Sequence, residues 1–399
     1  MLAFSYRPFL LYFTTNSLSL LGLWMQKVGV GWLTWQITES TFWTSFVTLA
    51  LMVPAGILGP FFAVWAENWN MRHASIILKF AMFLISIFIY ILQVFELHTV
   101  LSLAFLSVVY GVLSALYHPV RLVFVSVLIK KSLLSSAIGL SAASFNGSRV
   151  LGPAIAGFLI YYYDLGTAFL ISALFYLPVI LILFFLPLRD RKLSKKIEKS
   201  FFKKLIEGLR FALNNSFILK NLLLVFVNAF FIRGVLEIQP TIAGDLLSGS
   251  STGLSIITTS AGIGALIGAI ILGSGKYLKE SLINFFKPML VIGFLNCIII
   301  SLFPNLIILT ISFLLIGFST TLIGIGTQTL IQLNVEETYR ARVLTWWSTI
   351  SFGSLSLGGI ILGVVGEFAP LNLVIIIFSV IGIFGMYLLL GFKEIFPKM

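Results

Sequence analysis

The chain has 399 residues, of which 59% are hydrophobic, 15% aromatic and only 10% charged, with a mean hydropathy of +1.07. A soluble globular domain carries about 25% charged residues, so this composition excludes one. The formal net charge of +12 does not indicate nucleic-acid binding, because ten of the 26 basic residues lie in one stretch, residues 189–220, that lacks a recognition motif.

Long apolar runs without Asp, Glu, Lys or Arg predict helices that cross a membrane, since about 20 apolar residues span a bilayer. The sequence predicts an all-α membrane protein with twelve transmembrane helices in two pseudo-symmetric bundles of six. The predicted helices cover residues 8–37, 42–66, 73–95, 98–120, 133–162, 167–187, 217–240, 251–274, 284–303, 306–333, 344–365 and 370–391.

The basic residues between these helices predict the orientation of the chain. They occur only in alternate gaps, at Arg72, Lys130-Lys131, 189–220, 276–287 and 340–342, and the other gaps carry acids, one His or no charge. Because Lys and Arg favour the cytoplasmic side, we expect a multi-pass protein of the bacterial inner membrane with both termini in the cytoplasm. Attraction to anionic lipid accounts for the basic excess.

The long basic segment divides the chain into halves that echo one another, which is typical of transporters built from repeats. We predict an N-terminal six-helix bundle at 1–188, a cytoplasmic basic linker at 189–216 and a C-terminal six-helix bundle at 217–399. Within the linker, apolar residues from Phe201 to Leu213 recur at helical spacing, so we expect an amphipathic helix at the membrane surface.

Charged residues within the predicted spans indicate the functional site, because a charge is costly in lipid and usually faces a cavity or a partner. The candidates are Lys27, Arg121, Arg149, Arg233 and Glu237. The excess of cations predicts an anionic or zwitterionic small-molecule substrate. Two alternatives stay open: Lys27 extends to the outer headgroups, and Arg233 and Glu237, spaced i to i+4, simply neutralise one another.

Polar residues that share helix faces with these charges complete the predicted site. The substrate-binding set is Asn16, Trp24, Lys27, Tyr110, Ser114, His118, Arg149, Asn228, Arg233 and Gln328. Glu237 is the predicted proton carrier, since its protonation would release Arg233 for the substrate. His118 is an alternative titrating group.

Several motifs resemble the major facilitator superfamily, in the branch that contains the enterobactin exporter, macrolide efflux proteins and the lysophospholipid transporter. They are Trp24-Met25-Gln26, Gly31-Trp32, Thr38-Glu39-Ser40, Gly59-Pro60, Pro119-Val120-Arg121, Ala137-Ile138-Gly139-Leu140, Arg149 to Gly157, Gln332 to Val335, and Arg340 to Val343. The resemblance implies alternating access between two six-helix bundles, coupled to protons. It implies export of a siderophore or a similar metabolite, with drug efflux and lysophospholipid transport as alternatives.

The same resemblance implies a set of gating residues: Gly59, Pro60, Glu67, Arg72, Arg121, Gly152, Pro153 and Arg342. The chain departs from the signature loop after helix two, where Ala63, Glu67 and Asn68 replace the usual Gly, Asp and Arg. Since Asn68 lacks the usual charge, the resemblance implies a weaker inner gate.

An enzyme is not expected. Gly273 to Tyr277 lacks the first glycine and the hydroxyl residue of a phosphate loop, and no nucleophile, base and orienting group occur together. The three His residues are scattered, and Cys297 is the single cysteine, so we predict no cofactor, metal or disulfide. We expect a monomer. A receptor or scaffold that does not transport is the alternative from another functional class.

Overall fold

A computed structural model describes residues 2–66, 69–130, 133–188, 200–273 and 279–390. All regular structure in these ranges is helical. After a short 3-10 helix at Leu2–Ser5, the first eight helices are α1 (Arg7–Thr38), α2 (Thr41–Ala50), α3 (Val53–Ala66), α4 (Met71–Val94), α5 (Val100–Leu128), α6 (Leu134–Tyr162), α7 (Leu165–Leu174) and α8 (Leu177–Phe185).

The remaining helices begin with α9 (Ser200–Asn214) and α10 (Ser216–Val227), followed by one turn of π-helix at Asn228–Arg233, here called the π segment. After it come α11 (Gly234–Glu237), α12 (Gln239–Asp245), α13 (Ser251–Gly273), α14 (Lys279–Leu302), α15 (Leu306–Asn334), α16 (Glu337–Gly366) and α17 (Leu371–Leu390).

Nine helices within the described ranges are long and apolar enough to cross a membrane, or ten if α2 and the start of α3 form one span bent by 43°. The chain is therefore a multi-pass membrane protein. Helices α1 and α6 occupy two further predicted spans, 8–37 and 133–162. The total of twelve stays a prediction.

Side-chain caps explain several helix boundaries. The carboxamide of Asn70 accepts from the amides of the first turn of α4, and Thr99 forms a reciprocal capping box with Ser102 at the start of α5. Asp164 caps α7 in the same manner, by accepting from the Thr167 amide. These polar residues end the preceding loops within a few residues of the predicted positions.

The fourth predicted span, 98–120, ends too early. Helix α5 continues through Pro119 to Leu128. A proline removes one backbone donor, but neighbouring helices and polar groups can compensate for that loss within a membrane. Two cationic or titratable residues, His118 and Arg121, therefore lie on one continuous helix.

The described helices divide into two compact units. The first comprises Met1–Ile37 and Ala50–Ile197, and the second comprises Thr38–Leu49 and Glu198–Met399. The second unit thus includes almost all of α2, which the prediction assigned to the N-terminal bundle. Otherwise the division falls close to the predicted linker.

Glycines allow close helix approach in the first unit. A Cβ built on Gly152 of α6 would lie 2.6 Å from the Cβ of Trp24 and 2.9 Å from the carbonyl oxygen of Leu21, both on α1. Gly139, on the same helix, has no atom within 4 Å of such a Cβ. Gly152 therefore fixes the distance between α1 and α6, whereas Gly139 has room for a side chain.

Close packing in the second unit also rests on small residues. A Cβ on Gly234 would lie 3.1 Å from the backbone of Gly358 on α16, and one on Gly359 would lie 2.7 Å from the side chain of Leu49. At the end of α16, Glu367 accepts hydrogen bonds from the hydroxyls of Ser40 and Thr41. Helix α16 thus packs against the first residue of α11, next to the π segment, and against α2.

Helix α9 lies within the predicted linker, and it packs on protein along one side. Phe211 stacks on Tyr339 of α16 with ring centroids 4.2 Å apart, and Ala212 is buried in the same cluster. Ile206 and Leu213 remain exposed. The expected lipid-facing role applies only to this exposed side.

Candidate functional site

Buried charges in the described chain are cations. Lys27, Lys79, Arg121 and Arg233 are 8%, 0%, 4% and 9% exposed, respectively, and no Asp or Glu whose burial the structure describes is buried to this degree. Burying a charged group is costly unless it is paired. The surroundings of these four residues therefore decide what they can bind.

Lys79 of α4 is enclosed entirely by neutral groups in the first unit. Its ammonium donates to the hydroxyl of Ser19 at 2.8 Å and lies 3.8 Å from the ring centroid of Tyr117 and 5.2 Å from that of Tyr176. The rings supply cation–π attraction. Among the described residues, the other charge acting on Lys79 is the guanidinium of Arg121, which repels it.

Tyrosine hydroxyls extend the hydrogen-bond network around Lys79. These tyrosines lie on α1, on α5 and immediately before α8. Tyr117 donates to the carboxamide oxygen of Asn16 at 2.7 Å, and its hydroxyl lies 3.4 Å from that of Tyr12. Tyr110 and Tyr176 share a short hydrogen bond. Two predicted substrate residues, Asn16 and Tyr110, therefore belong to the polar core around Lys79.

Arg121, Trp24 and His118 meet at the ring of Phe145 on α6. The guanidinium carbon of Arg121 lies 4.7 Å from the centroid of that ring. The rings of Trp24 and His118 approach it edge-on, with centroids 6.0 Å and 5.9 Å away. Phe145 itself is half-buried, whereas Trp24 and Arg121 are more deeply buried.

Two donors in this group lack a hydrogen-bond acceptor. They are Nη1 of Arg121 and Nε1 of Trp24, and both atoms are buried. Buried polar groups are hydrogen-bonded in the great majority of native structures, so each exception needs an explanation. Lys27 adds a second cation here, since its ammonium lies 5.4 Å from the Trp24 ring centroid.

The second unit holds Arg233 at the end of the π segment. Its Nη1 donates to the hydroxyl of Ser351 on α16 at 3.1 Å, and the half-buried Glu237 attracts its charge. Nearby, the carboxamide nitrogen of Asn228 donates to the Thr320 carbonyl at 3.4 Å, while its oxygen is buried without a partner. Arg233 therefore has a second partner besides the acid predicted for it.

The other predicted substrate residues are less well defined by contacts. Ser114 lies on α5, Arg149 on α6 and Gln328 on α15, and all three are half-buried. Next to Gln328, the hydroxyl of Thr327 accepts from Nε1 of Trp347 at 3.1 Å.

The predicted gating residues occupy several environments. Arg72 donates to the carbonyls of Phe184 and Leu186 at the end of α8, and Arg342 pairs with Glu207 of α9 at 3.3 Å. Both therefore fasten helix ends within their own unit. A Cβ on Gly59 would meet no atom within 4 Å.

Three further members of the gating set complete this placement. Pro60 lies within α3 and Pro153 within α6. Glu67 lies outside the described residues.

Sequence reasoning missed Lys79 and Phe145. Lys79 had a usable signal, because Ser75, Lys79, Met82 and Ser86 follow one face of α4 and all are buried. Phe145 had none, since nothing in the sequence separates it from the other 37 phenylalanines.

Comparisons with known proteins identify the family and the fold of the chain. The profile of a family described as transmembrane secretion effectors, of the major facilitator type, matches residues 3–396. A staphyloferrin A transporter of Staphylococcus aureus (strain NCTC 8325 / PS 47) is 23% identical over 369 residues, which cover 89% of each chain. An uncharacterized MFS-type transporter, YfiS of Bacillus subtilis (strain 168), is 25% identical over 344 residues, covering 82% of this chain and 79% of that one.

Among solved structures, the nucleoside transporter NupG is similar with a TM-score of 0.70 and 14% sequence identity, over 97% of this chain and 100% of the other. At this identity the likeness concerns the fold alone. It confirms the predicted fold class.

Proposed function

The chain belongs to the major facilitator superfamily, in the family of transmembrane secretion effectors, and on this premise we propose that it exports a small anionic or zwitterionic metabolite, with a siderophore as the first choice. Its family and relatives are transporters, not enzymes. The proposal adds the direction, the energy source and the chemical class of the cargo.

One observation carries the choice of cargo: four basic side chains are buried in the described chain, while no carboxylate whose burial the structure describes is buried to the same degree. Burying charge is costly, and an anionic cargo would offset part of that cost when it binds. The similarity to a staphyloferrin A transporter supports a siderophore in particular. The cargo therefore carries carboxylate or comparable oxyanion groups.

We assign proton coupling to Glu237. This half-buried acid attracts Arg233, so a proton on Glu237 would change the attraction of Arg233 for an anion. Exchange requires that the proton and the anion occupy the transporter in opposite halves of its cycle. Proton entry and anion exit both move charge in the direction favoured by a membrane potential that is negative inside, worth about 2.3 kcal/mol per charge per 100 mV. The membrane potential thus favours both halves of the exchange, proton entry and anion exit.

We place the protein in the bacterial inner membrane as a monomer, with both termini in the cytoplasm. The alternating distribution of basic residues supports this orientation. Lipid surrounds the spans, and the substrate is a small molecule.

The test compares cells with and without the protein under iron limitation, using untargeted mass spectrometry of spent medium and cell extract. We expect one iron-binding anionic metabolite to decrease outside and accumulate inside when the protein is absent. Wild-type protein should restore export, and Glu237→Gln should restore less, with the loss depending on the imposed pH gradient. Lys130→Gln, which changes an exposed cation, serves as the control.

Other outcomes would replace the proposal. Altered sensitivity to toxic compounds without any change in metabolites would indicate drug efflux, and altered membrane lysolipid would indicate lysophospholipid transport. A neutral or cationic exported compound would contradict the argument from buried cations.

A further inference from the structure

We propose that Arg121 and Trp24 form an oxyanion subsite in the first unit and that the ring of Phe145 is its lid. The subsite binds a carboxylate or a chemically similar oxyanion of the cargo. This inference rests on the proposed function and adds the residues that recognise the anionic group. It also moves Arg121 from the predicted gating set to substrate binding.

The two unpartnered donors are the first argument. Nη1 of Arg121 and Nε1 of Trp24 are both buried without an acceptor, and their side chains are each only 4% exposed. Both side chains contact the ring of Phe145. Two side chains that contact one ring thus each carry a buried N–H donor with an unfilled requirement for an acceptor, and an oxyanion supplies two lone-pair-bearing oxygens.

Charge is the second argument. Arg121 brings a permanent positive charge, and Lys27 approaches the other partner of the ring, Trp24. An anion at this position is therefore attracted by Arg121 and Lys27, whereas a cation is repelled.

Access is the third argument. Phe145 is half-buried, whereas the side chains of Arg121 and Trp24 that contact its ring are buried. Rotation of one aromatic side chain would expose Nη1 and Nε1 without moving a helix, since side-chain rotamer changes need no backbone rearrangement. In its present position the ring faces the guanidinium and compensates its charge by cation–π attraction.

The backbone supports this placement. Gly152 holds α6 against Trp24 on α1, and Phe145 lies two turns before Gly152 on the same helix. Arg121 and His118 lie one turn apart on α5. The subsite is therefore built on three helices rather than on loops, which favours a fixed geometry.

The experiment uses the full chain purified in detergent, with thermal unfolding followed as a function of added probe. The carboxylate probes are citrate and 2,3-dihydroxybenzoate, the phosphate probe is lysophosphatidylglycerol, and catechol is the uncharged control. A ligand that binds only the folded protein raises the unfolding temperature with its concentration. Wild type should respond to the carboxylates and not to catechol.

Three variants test the donors and the lid. Arg121→Gln should weaken carboxylate binding by about tenfold to a hundredfold, and Trp24→Phe, which removes one N–H and keeps an aromatic ring, by about tenfold. Phe145→Ala should keep or strengthen binding, because it removes only the lid. Lys130→Gln, an exposed cation, should bind like wild type.

Several results would overturn the proposal. Unchanged binding in both Arg121→Gln and Trp24→Phe would place the oxyanion elsewhere while leaving anion export intact. A response of wild type to lysophosphatidylglycerol alone would keep the subsite but assign it to a lipid phosphate, and it would replace siderophore export. No response to any anion would contradict both proposals.

A folding defect is separable from lost recognition. Trp24→Phe keeps the packing against Gly152, so its unfolding temperature without probe should match wild type. Arg121→Lys keeps the charge and should retain part of the carboxylate response. If Trp24→Phe lost binding only in proportion to lost stability, the donor role would be refuted.

Discussion

Gly152 and Gly139 allow a matched test of the helix packing that supports the proposed subsite. Both lie on α6, and both gain helix propensity when changed to Ala, by about 0.5–1 kcal/mol. They differ in their surroundings: the new Cβ at Gly152 would lie 2.6 Å from the Cβ of Trp24, whereas the one at Gly139 would meet nothing within 4 Å.

The expected difference follows from this contact. Carbon atoms prefer separations of about 3.5–4.0 Å, so Gly152→Ala must push α1 and α6 apart by about 1 Å. Overpacking of this kind costs about 1–3 kcal/mol. Because both variants gain the same helix propensity, the difference between their free energies of unfolding should equal the cost of overpacking.

Thermal unfolding of the purified protein, followed by circular dichroism, measures the difference. Gly139→Ala should unfold at or slightly above the wild-type temperature, and Gly152→Ala clearly below it. The displaced Trp24 should also weaken carboxylate binding in Gly152→Ala alone. Equal unfolding temperatures in the two variants would refute the packing argument.

Three further changes have defined outcomes. Lys79→Met should raise the unfolding temperature, since it replaces a fully buried basic group by an apolar side chain of similar length. A lower temperature in a thermal melt would show that the contacts of Lys79 with Ser19 and the tyrosine rings stabilise the fold. The backbone amide of Phe42 donates to the Glu367 carboxylate at 3.1 Å, so Glu367→Gln should speed the hydrogen exchange of that amide. The control variant Glu39→Gln should leave its exchange rate unchanged. Partial burial raises the pKa of Asp245, so its stabilising contribution is present below its ordinary pKa and is lost as pH rises through the raised value. Asp245→Asn should therefore raise the melting temperature slightly at neutral pH and leave it unchanged at acidic pH. An equal gain at both pH values would contradict this assignment.

The sequence predicts the helices well because apolar length and charge position are local properties. Gaps near Asn70, Thr99 and Asp164 coincide with side-chain caps. The fourth predicted span ended at residue 120, before Arg121, because a charge is costly in lipid, but within a bundle a charged residue can face a partner or a cavity. Helix α5 continues beyond that position to Leu128.

The candidate site was only partly predictable. Trp24, His118 and Arg121 stand out by residue type, but their meeting at Phe145 depends on how α1, α5 and α6 pack. Lys79 lies seven residues after Arg72, near a predicted span end, where a lysine normally extends to the headgroups. Only the enclosing tyrosines show that it is fully buried.

The π segment has a consequence for how this chain tolerates deletions. In an α-helix each residue turns the chain by about 100°, so removal of one residue from an ordinary span rotates everything after it away from its neighbours. A π-helical turn contains one residue more than the α-helical turn it replaces. Loss of one residue within Asn228–Arg233 would convert that turn to α-helix and leave Gly234 facing Gly358 as before. This stretch of the second unit can shorten without changing which faces of its helix pack.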